Sequence, residues 1–187
     1  MKVKNRKIHV VGINSYEFEE LSSSIKSLLN NIENIAIPES YFDQINIWFK
    51  KSENCKKEFF SSGSNNDLIK WLKSRKSDAV LISRGDPLWF GIGRVLLEHF
   101  PKEELLFYPS MTCVQLAFRR LKKPWQSLKC ISIHGRETDE LIKAIKSRTQ
   151  NLAIIPDPKK NHLDLIRRNL LELQLENFYE IWICEEL

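Results

Sequence analysis

The sequence lacks several features that would point to common classes of protein. No apolar run approaches the ~20 residues that a helix needs to cross a bilayer. The basic N-terminus is not followed by the long apolar stretch of a signal peptide. The four cysteines are far apart and form no Cys-x-x-Cys pair, which argues against a structural zinc site and a disulfide-rich secreted fold. We therefore expect a cytoplasmic protein with reduced thiols, no metal site and no membrane segment.

Two nucleotide-binding motifs are also absent. The sequence has no Gly-x-Gly-x-x-Gly after its first apolar run and no Gly-x-x-x-x-Gly-Lys-Ser/Thr anywhere, which argues against dinucleotide and ATP binding through these loops. A content of 42% hydrophobic and 28% charged residues is typical of a folded, soluble protein. The net charge of +5 fits either lysine-rich solvated surfaces or an acidic partner such as nucleic acid, phosphate or a polycarboxylate.

Apolar runs rich in β-branched residues alternate with apolar residues at helical spacing. The predicted strands are Ile8–Ile13, Ala79–Ser83, Leu105–Tyr108, Cys130–His134, Leu152–Pro156 and Ile181–Cys184. The predicted helices cover Phe18–Leu29, Gly93–Phe100, Val114–Leu121, Leu141–Ile145 and Leu163–Leu173, the last with Asn161 as a candidate N-cap. This alternation predicts an α/β fold with mainly parallel sheets. Residues 40–66 give no clear pattern, apart from a loop composition over 61–66.

The pattern restarts after Pro124-Trp125, which predicts two α/β domains, residues 1–124 and 125–187. The second domain would hold only three strands and leave an unpaired sheet edge. We therefore expect this domain to be incomplete.

The stretch from Ser83 to Gly93 is the most informative in the chain. It reads Ser-Arg-Gly-Asp-Pro-Leu-Trp-Phe-Gly-Ile-Gly and directly follows a buried strand. Ligands of open α/β sheets bind just beyond the carboxyl ends of strands. A glycine there lets the backbone approach a bound group, and Pro87 stiffens the turn. The stretch therefore predicts a small-molecule site.

Two further segments accompany this stretch. Tyr108–Leu121 reads Tyr-Pro-Ser-Met-Thr-Cys-Val-Gln-Leu-Ala-Phe-Arg-Arg-Leu and runs into Pro124-Trp125, and Ser132–Arg136 reads Ser-Ile-His-Gly-Arg. The three segments, in this order and at these intervals, resemble the tetrapyrrole methylases, the S-adenosylmethionine-dependent enzymes of corrin and sirohaem synthesis. Within that family they look most like the precorrin-6Y and cobalt-precorrin-7 C5-methylating branch. The resemblance covers nearly the whole chain and is weakest over 14–78.

The sequence departs from this family in two places. Family members usually carry a glycine-rich loop after the first strand, whereas here Gly12 is followed by Ile-Asn-Ser-Tyr-Glu-Phe. The family's second domain also continues beyond a strand like Ile181–Cys184, and its bifunctional members add a decarboxylating C15-methylating domain.

The resemblance implies S-adenosylmethionine bound in a cleft between two domains, a corrin substrate rich in carboxylates, and a homodimer. The cofactor-binding residues that it implies are Gly12, Ile13, Gly85, Asp86, Trp89, Gly91, Ile92, Ser110, Met111, Ile155 and Pro156. Arg120 and Arg136 are candidates for binding substrate carboxylates, since arginine forks suit them. His134 is the candidate weak base that removes a proton after methyl transfer.

Several of these residues have a structural alternative. Asp86 can hydrogen-bond within its own turn, Ser110 can cap the following helix, and Asp157 can cap the turn after the strand that ends at Pro156. Trp89 suits a cleft wall or the core, and a lone histidine such as His134 is often structural.

Two other functions fit the same patterns. One is a methylase of the same fold with another acceptor: an earlier corrin intermediate, ribosomal RNA or a translation factor. The other is a non-catalytic cofactor-binding fragment or dimer scaffold. The His134–Arg136 segment and Pro124-Trp125 favour the corrin enzyme, so we expect no nucleic-acid partner.

Overall fold

The computed structural model describes residues 6–14, 18–50, 57–61, 63–157, 160–185 and 187. The chain divides into two compact units, Met1–Thr112 and Cys113–Leu187. The domain boundary after residue 124 and the incompleteness of the second domain stay predictions. No helix in the described part of the chain is long and apolar enough to cross a membrane.

The first unit is built on one parallel sheet. Its strands are β1 (Ile8–Ile13), β2 (Asn34–Ile37), β3 (Glu58–Ser61), β4 (Ala79–Arg84) and β5 (Leu105–Tyr108). They lie in the order β3-β2-β4-β1-β5, and each neighbouring pair is parallel. Parallel neighbours need crossover connections, which here are mainly helical.

The helices of this unit are α1 (Ser23–Asn31), α2 (Phe42–Lys50), α3 (Asn65–Ser74) and α4 (Gly93–His99). Successive strand residues point to opposite faces of a sheet, so β1 contributes to two hydrophobic clusters. Val10 packs with Leu72 and Leu96, whereas Val11 packs with Leu29 and Ile45. The sheet is therefore buried on both faces, as is usual for parallel strands.

Local hydrogen bonds fix where α1 begins and ends. The Ser22 hydroxyl accepts from the Ile25 N–H at 3.4 Å, as an N-cap residue does. At the other end, the Lys57 ammonium donates to the carbonyls of Leu29, Asn30 and Ile32 at 2.7–2.8 Å. A cation suits the carbonyl-rich end of a helix, so Lys57 closes α1 and joins it to the start of β3.

The second unit holds a smaller parallel sheet. Its elements are α5 (Cys113–Leu121), β6 (Lys129–Ser132), α6 (Asp139–Lys146), β7 (Leu152–Ile155) and α7 (His162–Glu172). β6 and β7 pair in parallel, and Ile131, Leu141 and Leu170 belong to the buried core beside them. The predicted N-cap of α7 is confirmed, because the Asn161 side chain accepts from the Asp164 N–H at 3.3 Å.

The predicted strand Ile181–Cys184 is wrong. Its residues form neither helix nor strand, and Ile181, Trp182 and Ile183 are 59%, 54% and 64% exposed. The Lys123 ammonium lies 5.1 Å from the centre of the Trp182 ring and 3.4 Å from the Glu180 carboxylate. A β-branched run forms a strand only when a neighbouring strand pairs with it, and none of the described strands pairs with this segment.

The loop predicted over 61–66 is also wrong in part. Ser61 ends β3, Ser64 is the N-cap of α3, and Asn65 is that helix's first residue. Sequence reading also missed β2, α2, β3 and α3. Their helix or strand state is decided by tertiary contacts, such as the hydrophobic cluster to which Ile35 and Ile45 both belong.

Cys130 and Cys184 are free thiols, and Cys55 lies outside the described residues. Burial, with a smaller contribution from Cys113, raises the pKa of the Cys130 thiol. A raised pKa lowers the thiolate fraction, so Cys130 is a poor nucleophile.

Candidate functional site

The carboxyl ends of β1, β4 and β5 meet at one edge of the five-stranded sheet. Gly12 pairs with Ser83 and Ile13 with Arg84, and Val11 pairs with Tyr108 on the other side. The loops that follow these strands therefore start side by side. This is the edge at which open α/β sheets bind ligands.

Backbone contacts join the three loops. The Gly85 N–H donates to the Ile13 carbonyl at 2.9 Å, and the Ser110 N–H donates to the Gly85 carbonyl at 3.2 Å. A Cβ built on Gly12 would lie 1.8 Å from the Gly85 oxygen and 3.0 Å from the Ser110 nitrogen. The close approach requires glycine at position 12, so a residue predicted to bind cofactor has a structural role here as well.

Asp86 shapes the turn that follows β4. Its side-chain oxygen accepts from the Leu88 N–H at 2.8 Å, and its carbonyl accepts from the Trp89 N–H at 3.1 Å. The Gly93 N–H closes the turn on the Pro87 carbonyl at 2.8 Å. Asp86 therefore does form hydrogen bonds within its own turn, and a contact between Asp86 and a ligand stays a prediction.

Ser110 does not cap the following helix, because α5 begins three residues later at Cys113. Its hydroxyl instead accepts from the Asn14 side-chain amide at 2.8 Å. The Ser110 N–H donates to the Gly85 carbonyl, and residues 109–112 form neither helix nor strand. Sequence reading missed Asn14, because no motif in the sequence includes it. Residues 15–17, which complete the unusual loop after β1, lie outside the described residues.

An apolar rim lies along these loops. Leu88, Phe90 and Met111 are 53%, 41% and 42% exposed, while Trp89 is half-buried with its ring centre 4.9 Å from that of Phe90. Gly91 is exposed beside them, and Ile92 packs against the core that contains Leu96. Exposed apolar side chains grouped near a strand-end turn provide a surface for an apolar ligand.

A buried histidine supports the β5 side of this edge. His9 Nδ1 lies 2.9 Å from the Tyr108 hydroxyl, and the two rings stack with centres 5.8 Å apart. Burial lowers the pKa of His9; the nearby Asp78 carboxylate opposes this shift, and Lys7 adds to it. Tyr108 is the last residue of β5, so the pair lies just before the loop that contains Ser110. Sequence reading missed this pair.

The remaining predicted residues lie in the second unit. The Ile133 N–H donates to the Ile155 carbonyl at 2.9 Å, which brings His134 and Arg136 to the same sheet edge as Ile155 and Pro156. His134 and Arg136 are both exposed, in a turn that begins after β6 ends at Ser132.

Arg120 belongs to a different element, the last turn of α5. Its guanidinium donates to the Glu185 carbonyl at 3.4 Å. The proposed location of a cofactor between the two domains stays a prediction. In the described part of the chain, no three His, Cys, Asp or Glu side chains are grouped so that they could hold a metal ion.

Taken together, the parallel sheet and the strand-end loops define an α/β protein whose loops meet at the carboxyl edge of its sheet, where open α/β sheets bind ligands. The model of the tetrapyrrole (corrin/porphyrin) methylase family matches residues 7–187. The chain belongs to this family and is a methyltransferase, as the resemblance of its three segments predicted.

Two curated relatives carry names from one branch of the family. A probable cobalt-precorrin-7 C(5)-methyltransferase of Methanocaldococcus jannaschii is 24% identical over 183 residues, which covers 96% of this chain and 83% of the relative. The cobalt-precorrin-7 C(5)-methyltransferase of Salmonella typhimurium is 30% identical over 70 residues, or 37% of this chain and 35% of the relative.

Solved structures share the fold. The precorrin-6Y methylase of Archaeoglobus fulgidus superposes with a TM-score of 0.57 at 23% identity, over 79% of this chain and 72% of that chain. The methyltransferase CobJ superposes with a TM-score of 0.68 at 14% identity, over 90% of this chain and 76% of that one.

Proposed function

We propose that this protein transfers a methyl group from S-adenosylmethionine to C5 of a precorrin-7-type corrin precursor in cobalamin biosynthesis. The observation that carries the proposal is the closure of the Gly12, Gly85 and Ser110 loops on one sheet edge in a chain of this family. The names of the relatives from Methanocaldococcus jannaschii and Salmonella typhimurium support C5 of cobalt-precorrin-7 as the acceptor.

The chemistry of the first unit's edge fits the proposed cofactor. S-adenosylmethionine carries an ammonium and a carboxylate at one end and an adenosine at the other, whose adenine ring has apolar faces. Asp86 offers a carboxylate for the ammonium, since only one of its oxygens is needed for the bond to the Leu88 N–H. Leu88 and Met111 offer apolar surface beside the turn. The described residues thus supply a group for the ammonium and a surface for the apolar faces of the molecule.

When bound, S-adenosylmethionine supplies an electrophilic methyl carbon on a sulfonium. The protein's task is to hold the acceptor carbon in line with that methyl group and to exclude water, and such alignment can account for several kcal/mol of the barrier. We assign Asp86 and the Ser110 loop to orientation of the cofactor. We assign Arg136 and Arg120 to the substrate carboxylates, which a guanidinium binds through paired hydrogen bonds.

We assign His134 to the removal of a proton after methyl transfer. Its exposed position on the turn after β6 leaves the imidazole accessible to a substrate. Turnover unchanged in His134→Ala would contradict this role. We also propose a homodimer in the cytoplasm that uses no nucleic acid, on the basis of the family resemblance.

The first test is calorimetric titration of the chain with S-adenosylhomocysteine, the product of the cofactor. We expect one-to-one binding with a micromolar Kd. Asp86→Asn should weaken binding about tenfold, because the amide keeps an oxygen for the Leu88 N–H but loses the charge that attracts the ammonium. Asp43→Asn, at an exposed position in α2, is the matched control and should bind as the wild type does.

A turnover assay then tests the acceptor. Mass spectrometry should detect one added methyl group on cobalt-precorrin-7 or its cobalt-free counterpart. Binding of S-adenosylhomocysteine without methylation of either compound would favour another acceptor or a non-catalytic cofactor-binding role. Failure of the folded wild-type chain to bind S-adenosylhomocysteine would contradict the proposal as a whole.

A further inference from the structure

The turn after β6 has a defined shape. The Arg136 N–H donates to the Ile133 carbonyl at 3.5 Å, which closes a four-residue turn with His134 and Gly135 at its centre. Gly135 has a φ of +62°, whereas His134 is not among the residues with positive φ. A positive φ at only the second central residue is the pattern of a type II turn. In this turn His134 and Arg136 are the residues directly before and after the glycine.

Packing around Gly135 does not hold this turn in place. A Cβ built on Gly135 would meet no atom within 4 Å, and His134, Gly135 and Arg136 are all exposed. A turn without packing around it needs hydrogen bonds to keep one conformation.

Asp157 supplies such a bond from the neighbouring strand end. Its carboxylate oxygen accepts from the Gly135 N–H at 3.3 Å, and the residue is only 9% exposed. A buried carboxylate is costly unless hydrogen-bond donors or charges compensate it. Because Asp157 follows Pro156 at the end of β7, it links the two adjacent strand ends.

His162 fixes Asp157 in turn. The Asp157 N–H donates to His162 Nδ1 at 3.0 Å, and His162 is 6% exposed at the first position of α7. Since Nδ1 accepts this bond, the ring carries its proton on Nε2. The Lys160 N–H also donates to the Asp157 carbonyl at 3.1 Å. The backbone of Asp157 is therefore held on both sides, which aims its carboxylate at Gly135.

We propose that Asp157 is a positioning residue that holds the His134–Arg136 turn in the one conformation able to bind a carboxylated tetrapyrrole. The ligand class rests on the proposed function, whereas the positioning rests on the contacts of the second unit alone. Asp157 does not touch the substrate in this account. Its effect passes through the Gly135 N–H to the imidazole of His134 and the guanidinium of Arg136.

Amide hydrogen exchange measured by NMR tests the positioning directly. The Gly135 amide should be protected in the wild-type chain, although it lies in an exposed turn. Asp157→Ala should accelerate its exchange at least tenfold, and Asp157→Asn should have a smaller effect because the amide oxygen still accepts. Asp139→Asn removes the same charge from the exposed start of α6 and should leave Gly135 unchanged. Rapid exchange at Gly135 in the wild type would overturn the positioning role.

Binding of uroporphyrin III, a stable polycarboxylated tetrapyrrole, tests the consequence. Asp157→Ala should weaken its binding about tenfold while the Kd for S-adenosylhomocysteine changes less than twofold. Gly135→Ala strains the same turn without touching Asp157, so the double variant should bind no more weakly than the weaker single variant. Additive losses, or equal losses for both ligands, would assign Asp157 a general structural role and overturn the proposal.

The exchange and binding experiments distinguish a failure of this inference from a failure of the proposed function. If wild-type protein binds S-adenosylhomocysteine but not uroporphyrin III, the ligand class assigned to the turn is wrong. If Gly135 is unprotected while both ligands bind, the positioning role is wrong and the proposed function stands.

Discussion

Gly85 and Gly135 both follow a parallel strand, and their φ angles are nearly the same, +61° and +62°. Their surroundings differ. A Cβ on Gly85 would lie 3.1 Å from the Met111 oxygen, and the Gly85 carbonyl itself presses against Gly12. Gly135 has open space around it and a hydrogen bond to a buried carboxylate. One turn is held by close packing of backbone, the other by hydrogen bonds without packing around its glycine, so substitutions should affect them in different ways.

The largest effect is expected for Gly12→Ala. The new Cβ would meet backbone atoms of two other loops, at 1.8 Å and 3.0 Å, and neither can move without shifting its strand. We expect a loss of about 3 kcal/mol or more in the free energy of unfolding, measured by urea denaturation. Gly63→Ala is the control, because its nearest contact is the flexible Glu39 carboxylate at 3.1 Å. Equal stability of the two variants would mean that the first turn is not closely packed.

Gly85→Ala should come next, at about 2 kcal/mol. It combines a left-handed backbone with a Cβ at 3.1 Å from the Met111 oxygen, which must move slightly. The same movement displaces the Ser110 loop, so we also expect weaker binding of S-adenosylhomocysteine in calorimetry. A variant that is destabilised but binds as tightly as the wild type would separate this loop from the cofactor.

Gly135→Ala should cost less, about 1 kcal/mol, because only backbone strain opposes it. Gly135→Asn should recover part of that loss, since asparagine tolerates a positive φ better than alanine does. Thermal unfolding followed by circular dichroism measures both. A loss as large as that of Gly85→Ala would remove the distinction between the two turns.

The smallest effect is expected for the pH dependence of stability, which His9 influences beside the loop that contains Ser110. Burial lowers the pKa of His9, so the unfolded chain takes up this proton at a higher pH than the folded one. The contribution of neutral His9 to the stability is complete above the ordinary histidine pKa. It is lost as the pH falls below that pKa towards the lowered pKa of His9 in the folded protein. We expect His9→Gln to flatten the loss of stability between pH 7.5 and pH 5.5 in urea titrations. Parallel curves for the two proteins would show that His9 does not contribute.

The sequence predicted the fold where apolar runs were long or were followed by glycine and proline. β1, β4 and β5 were found at or within one residue of their bounds, and so was α4. The family resemblance added the residues of the strand-end loops, which the structure brings together within each unit. β2 was missed although, like β5, it has four residues and is followed by a proline. So short a run shows no period of its own, so its state cannot be decided from the pattern alone.

The contacts that hold the two turns were not predictable in the same way. Asn14, His9 and His162 act through partners that are distant in sequence or depend on side-chain direction. Asp157 was noted only as a possible cap of its own turn, whereas its carboxylate reaches a different strand end. Residue type indicated that these groups could form hydrogen bonds, but only the fold determined their partners.

The position of β1 in its sheet has a consequence for how the first unit folds. Ile8 pairs with Ala79 on one side and with Leu105 on the other, so the first described strand lies between two much later ones. During synthesis, β1 must leave the ribosome long before either neighbour exists, and its apolar residues need protection in that interval. Pairing between such distant segments also slows folding, because a long loop must close before any contact forms. The segment that carries Gly12 is therefore made well before the strands on either side of it, and it reaches its final place only after both of them have been made.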